Sequence, residues 1–364
     1  RLGGATVFGL VGDANLFLVK SYLDQGLGNY IPCTHEANAV LAAIGHAQVI
    51  GRTGVATITH GPALTNAATA LTEGVRAGVP LVVLCGDTAP GDLQHLQKID
   101  QREVVAATGA GFVDMRSPET AVRDLERAFR LAEQQRRPIV FNMRIDLQWL
   151  PAPLPEADPP PMPAPAPAPV AALEEAAGML ASARRPLILA GRGAISEAAR
   201  NALIALAAIV ASGALADRIG APLATTLKAQ GLFRGHPFDL GICGGLSHPT
   251  ATETIMKSDC ILAFGASLSK HTTENRAYIE GKRVIQILPD ALENLRMDQP
   301  TLRLIGDPAL TAQAIVELLD MAEIPSAHAT DDDLRAALAA ETSAFATLPR
   351  AGPTRVGTVD FVPA

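Results

Sequence analysis

The sequence predicts an α/β protein made of two doubly wound, mostly parallel-sheet domains joined by a Pro-rich linker, and three observations predict it. Short runs rich in Val, Ile and Leu alternate with Ala-rich helical stretches, the pattern of a parallel sheet covered by helices on both faces. The 364 residues exceed one ordinary domain and suit two of about 150 residues each, with connections left over. Between the halves lie residues 151–169, of which 10 are proline and most of the rest alanine. That composition favours extended polyproline II over any packed element, with a reach of roughly 60 Å at about 3.1 Å per residue.

In the first half, residues 6–9, 30–34, 55–59, 80–85, 111–115 and 138–143 read as strands, and 37–50, 66–77 and 118–134 as helices. The second half repeats the habit with strands at 186–190, 222–226, 260–264, 284–287 and 302–305. Helices at 309–322 and 331–346 close it, the latter opened by Thr330 and three aspartates that suit a positive helix N-terminus. Pro349, Gly352 and Pro353 then break the helical pattern, and Thr358-Val359-Asp360-Phe361 reads as the start of another helix. The expected division is residues 1–150, a linker at 151–170, a second domain at 171–347, and the beginning of a third at 348–364.

Composition excludes several classes. The formal charge of −7, with basic residues scattered along the chain, argues against a nucleic-acid surface. Hydrophobic residues at 48% against 18% charged are too many for global disorder, and aromatics at 4% leave the cores to Ala, Val, Leu and Ile. No stretch reads as a membrane span; the nearest, 201–216, is short and Ala-rich. Cys33, Cys85, Cys243 and Cys260 form no C-x-x-C pair, so reduced thiols and a cytoplasmic setting are expected.

Parallel sheets bind ligands beyond the carboxyl ends of their strands. Three such junctions carry ionisable residues beside glycine or a helix start: Gly12-Asp13-Ala14-Asn15, His35-Glu36-Ala37-Asn38, and His60-Gly61-Pro62-Ala63-Leu64-Thr65-Asn66. Glu36 has two readings. It is a carboxylate favoured by the helix dipole, or an acid partly buried at a strand end and able to give a proton to a ring nitrogen. Asp13 reads as a helix N-cap or a proton-handling acid, and His60 as a histidine at a helix start, bonded to a loop carbonyl, or a proton-handling base.

Taken in order, these segments resemble the N-terminal, pyrimidine-binding domain of thiamin-diphosphate enzymes of the acetolactate synthase, pyruvate decarboxylase and benzoylformate decarboxylase type. The likeness runs through Val7-Phe8-Gly9-Leu10-Val11-Gly12-Asp13, His35-Glu36-Ala37-Asn38, Gly51-Arg52-Thr53-Gly54-Val55, the His60 to Asn66 run and Pro80-Leu81-Val82-Val83-Leu84-Cys85-Gly86-Asp87. It continues in the second half at Gly191-Arg192-Gly193, Ala221-Pro222-Leu223-Ala224-Thr225-Thr226 and Gly265-Ala266-Ser267-Leu268, which are similar to the family's central domain. The resemblance implies that Glu36 contacts the cofactor's aminopyrimidine ring and moves the proton on which C2 deprotonation depends. It places Asn66, Gly12 and Pro62 at the cofactor, Asp13 and His60 at the reacting substrate, and Gln97 near the substrate. Leu96, where the family has an aromatic, and Val11, where it commonly has proline, depart from the pattern.

The same resemblance implies a 2-oxo acid substrate, a homodimer or homotetramer, and magnesium held by a Gly-Asp-Gly run with a later Asn. Gly-Asp occurs at Gly12-Asp13, Gly86-Asp87, Gly91-Asp92 and Gly306-Asp307, in no case followed by glycine. No metal ligand is therefore assigned in this chain, and by itself it is expected to bind the cofactor weakly and not to turn over. Some synthases of the family bind FAD in the central domain, and the Gly191-Arg192-Gly193 turn is the candidate for it. A non-catalytic or split-subunit module and an unrelated nucleotide-binding α/β protein stand as alternatives.

Overall fold

In a computed structural model, residues 6–153, 164–207, 220–289, 300–323 and 331–346 are described. The chain divides into two compact units, 1–163 and 164–364, and the division falls inside the Pro-rich segment. Residues 154–163 of that segment, Thr330, the expected third-domain start at 348–364 and the 208–216 part of the Ala-rich stretch lie outside the described residues.

The first unit runs β1 (Thr6–Gly9), α1 (Leu16–Asp24), β2 (Asn29–Pro32), α2 (Glu36–Ile50), β3 (Gly54–Ile58), α3 (Pro62–Ala77), β4 (Leu81–Asp87), α4 (Gln101–Thr108), β5 (Gly111–Asp114), α5 (Ala121–Gln135), β6 (Pro138–Arg144) and the short α6 (Ile145–Gln148). Its six strands pair in the order β2-β1-β3-β4-β6-β5, every pair parallel. Alternation within the strands feeds two cores. Val7, Val55, Val82 and Ile139 pack with Phe129 on one face, while Ala56, Ile58, Val83 and Val140 pack with Val40, Ile44, Leu64 and Leu71 of α2 and α3 on the other.

The second unit runs α7 (Val170–Ala181), β7 (Pro186–Ala190), α8 (Glu197–Ala207), β8 (Leu223–Thr225), β9 (Asp239–Ile242), α9 (Pro249–Lys257), β10 (Cys260–Phe264), β11 (Arg283–Leu288), β12 (Leu302–Ile305), α10 (Pro308–Met321) and α11 (Asp332–Ala346). Its strands pair in the order β12-β11-β10-β7-β8-β9, again all parallel, which is Rossmann-type connectivity. Ile188, Leu262 and Ile285 face α7, α8 and α10; Leu187, Leu189 and Ile261 face the opposite core with Ile255 and Leu338.

Element limits differ from the sequence reading where capping decides them. α3 begins at Pro62, four residues earlier than expected, because the proline ring fixes a helical φ and its missing N–H is no loss at a first turn. The expected helix at 118–134 is a 3₁₀ turn (Pro118–Thr120) leading into α5, with the Ser117 side chain accepting from Thr120 N. At α11 the side chain of Asp331 accepts from Leu334 N at 2.7 Å.

Candidate functional site

In the first sheet the chain turns from β1 outward to β2, then back past β1 to β3, so the β1/β3 boundary is a topological switch point. Crevices at such points are where open parallel sheets take ligands. Two of the three expected junctions, after β1 and after β3, meet there.

The turn after β1 is locked by Asn15, which is fully buried. Its Oδ1 accepts from Gly12 N at 2.7 Å, and its Nδ2 donates to Leu10 O and Thr57 Oγ1, each at 3.1 Å. Asn15, and not Asp13, occupies the N-cap position of α1, so the N-cap reading of Asp13 is corrected. Asp13 Oδ1 instead accepts from Ala14 N and from Thr59 Oγ1, both at 2.9 Å. Gly12 lets the two turns meet, since a Cβ there would stand 2.7 Å from Thr59 Cβ.

His60 is 1% exposed, whereas the Asp13 side chain is 57% exposed. Its Nδ1 lies 3.1 Å from Thr59 Oγ1 and 3.5 Å from Asp13 Oδ1. Since the Thr59 hydroxyl proton goes to Asp13, its lone pair is left to accept, which assigns the imidazole proton to Nδ1. Nε2 is then the basic nitrogen, and among the described residues it is buried without a hydrogen-bond partner. Burial holds the His60 pKa below the ordinary histidine value; Asp13 opposes this and His95 adds to it. The rings of His60 and His95 are 4.9 Å apart, and one ligand-bearing atom from each of Asp13, His60 and His95 lies within 4.8 Å of the others. On the Asp13 side, His60 is engaged by Thr59, whereas His95 meets it only through the ring contact, its own Nδ1 accepting from Gln97 N at 3.2 Å.

Glu36 is the first residue of α2 and 9% exposed. The His35 side chain caps the helix by accepting from Ala37 N at 3.1 Å. Glu36 Oε2 accepts from Asn66 Nδ2 at 3.0 Å. Among the described residues the other carboxylate oxygen has no hydrogen-bond partner. A tethered, mostly buried carboxyl with one open oxygen fits a protonated ring nitrogen or a ring nitrogen in need of a proton.

Pro62 is exposed at the first position of α3. Gln97 meets the site through its backbone, its carbonyl oxygen only 1.9 Å from where a Cβ on Gly61 would stand. Sequence reasoning did not single out Thr59, His95, Asn15 or Gln101. Thr57 and Thr59, two hydroxyls at period-two spacing where β3 ends, were the available signal for the first.

In the second unit, Gly191 and Gly193 are small because they pack on another loop. A Cβ on Gly191 would lie 2.3 Å from Gly265 O, and Gly193 N donates to that same oxygen at 3.0 Å. Loop-to-loop packing at the β7/β10 boundary accounts for the glycines, and they give no support to the candidate FAD turn.

Two family models match the chain. One, thiamine pyrophosphate enzyme, N-terminal TPP binding domain, matches residues 1–104, and the other, thiamine pyrophosphate enzyme, central domain, matches 173–315. Among curated proteins, a probable 2-ketoarginine decarboxylase of Pseudomonas aeruginosa is 32% identical over 73% of this chain and 47% of its own length. The acetolactate synthase large subunit of Corynebacterium glutamicum is 26% identical over 91% of this chain and 52% of its own. The sulfoacetaldehyde acetyltransferase of Rhodobacter capsulatus is 28% identical over 75% and 45% respectively. The chain thus spans about half the length of these relatives. With two all-parallel α/β units and matches to two successive domains of one family, the chain belongs to the thiamine pyrophosphate enzyme family.

Proposed function

We propose that the chain forms the pyrimidine-binding domain (1–150), linker (151–170) and central domain (171–347) of an enzyme that breaks or forms a C–C bond beside the carbonyl of a 2-oxo acid. The observation that carries the reading is the Glu36 carboxyl, buried, tied to Asn66 by one oxygen and open at the other. When bound, thiamin diphosphate supplies an electron sink for the charge left on the carbonyl carbon.

The residues of this chain then divide the work. Glu36 holds a proton against the pyrimidine ring nitrogen, and Asn66 fixes its carboxyl. Gly12 and Pro62 shape the wall of the crevice where β1 and β3 end. Asp13, exposed where the turn after β1 ends, is the member of the pair open to bound substrate; through Thr59 it keeps the proton of His60 on Nδ1, which leaves the buried Nε2 as the basic nitrogen behind it. Gln97 borders the same space. Magnesium and the diphosphate would be held by residues other than those of these two units, and a homodimer or homotetramer would bring them to the crevice.

The relatives' names span a decarboxylase, a synthase and an acetyltransferase, so the proposal stops at the shared class of chemistry. The test is to supply the full-length gene product with thiamin diphosphate and Mg2+ and to assay pyruvate, benzoylformate and longer 2-oxo acids for CO2 release and for carboligation products. Turnover of at least one is expected. No consumption of any, in protein that binds the cofactor, would overturn the substrate class.

A further inference from the structure

Gln101 is 3% exposed and uses its whole amide. Its Oε1 accepts from Gly61 N at 2.8 Å. Its Nε2 donates to Gly86 O at 2.9 Å and to Asn142 Oδ1 at 2.7 Å. Asn142 Nδ2 in turn donates to Asp87 Oδ2 at 2.8 Å and Asp114 Oδ1 at 3.1 Å. The orientation of both amides is forced by chemistry, because a backbone N–H can only donate to Gln101 and carboxylates can only accept from Asn142.

The other end of this chain of bonds is the turn that carries His60. Gly61 has φ 59° and ψ −112°, a conformation suited to glycine, and the Gln97 carbonyl closes over it. Gly61 is thereby fixed by two groups of one segment, the backbone of Gln97 and the side chain of Gln101. Gly86 lets the neighbouring turn come close, since a Cβ there would lie 2.4 Å from Ala14 Cβ. Gln101 therefore joins the ends of β3, β4 and β6 at the point where the turn after β1 also arrives.

We propose that Gln101 is a positioning residue for His60, acting through the Gly61 amide. Gln97, the glutamine singled out by the sequence, lends only its backbone carbonyl to the same turn. The catalytic meaning of this assignment rests on the function proposed for His60; the geometric claim does not.

The first measurement uses the unaltered chain. Hydrogen exchange at the Gly61 amide should be slow, close to that of core amides in β3 and β4, whereas exchange as fast as in exposed loops would overturn the proposal. The second follows the His60 imidazole by 15N NMR, assigned by its loss in His60→Gln. Gln101→Met should raise the His60 titration midpoint by roughly half a pH unit or more, as water reaches the loosened turn. Asn142→Ala, which removes an anchor of Gln101, should move it the same way by less. Phe129→Leu, a cavity on α5 in the core on the opposite face of the sheet, should destabilise the chain and leave the midpoint in place. An unchanged midpoint in Gln101→Met, or an equal shift in Phe129→Leu, would overturn the proposal. Because neither measurement needs cofactor or turnover, failure here is distinct from failure of the proposed activity.

Discussion

Asn66 Nδ2 donates to Glu36 Oε2 at 3.0 Å and so ties the first residue of α2 to the second turn of α3. One carboxylate oxygen is held by a neutral donor, which fixes the group without neutralising it. The two residues are 30 positions apart, and the parallel sheet brings their helix starts side by side.

In the complete enzyme, Glu36→Gln should slow exchange of the C2 proton of bound cofactor by about 10²-fold or more, the scale of a lost general acid. Asn66→Ala should cost about tenfold, one charge-assisted hydrogen bond. Exchange at the unaltered rate in Glu36→Gln would take the carboxyl out of the proposed role.

Burial lowers the pKa of His60, and of His236 in the second unit, below the ordinary histidine value. In the unfolded chain both revert to about 6.5. Between that value and the lower folded-state values the unfolded state binds more protons, so stability rises with pH across the window. Urea midpoints should be flat from pH 8 to 7 and fall from about pH 6.5 downward. His60→Gln should reduce the fall; an identical pH dependence in that variant would contradict a buried neutral imidazole.

Gly61→Ala should destabilise the first unit by about 3 kcal/mol or more, since positive φ and a blocked Cβ position act together. Gly45→Ala, in the interior of α2 with nothing within 4 Å of the new Cβ, should stabilise by about 0.5–1 kcal/mol. Urea unfolding of both variants checks the pair, and the sign of the difference is the decisive quantity.

All four cysteines are free, with Cys85, Cys243 and Cys260 buried and Cys33 partly exposed. Burial pushes the Cys85 thiol far up and those of Cys243 and Cys260 up to about 12. A disulfide reagent at pH 8 should therefore modify one thiol quickly in the native chain, and mass mapping should find it on Cys33. Rapid labelling of Cys85 would show that the sheet opens at β4.

Much of the fold was legible because short β-rich runs between turn residues announce themselves. Residues 186–190 and 260–264 form fully buried strands with the expected limits, and 6–9 and 302–305, only partly buried, keep theirs as well. β9 was not legible: Asp239-Leu240-Gly241-Ile242 carries an acid and a left-handed glycine, and its strand state comes from pairing with β8. Among site residues, Glu36, Asp13 and His60 stood out as ionisable groups at strand ends. His95 and Gln101 did not, since both belong to a segment with no periodic pattern whose relation to β3 is fixed only by folding.

The sequence by itself determined the two α/β units, the proline-rich segment between them and the strand-end turns, because these follow from local periodicity and backbone chemistry. Tertiary structure alone decided which polar atoms are paired. It placed Thr59 between Asp13 and His60, left His60 Nε2 without a partner among the described residues, and turned the Gln101 amide toward Gly61. Those outcomes depend on desolvation and on distances of a few tenths of an ångström between residues about 40 or more positions apart, quantities that local sequence pattern does not encode.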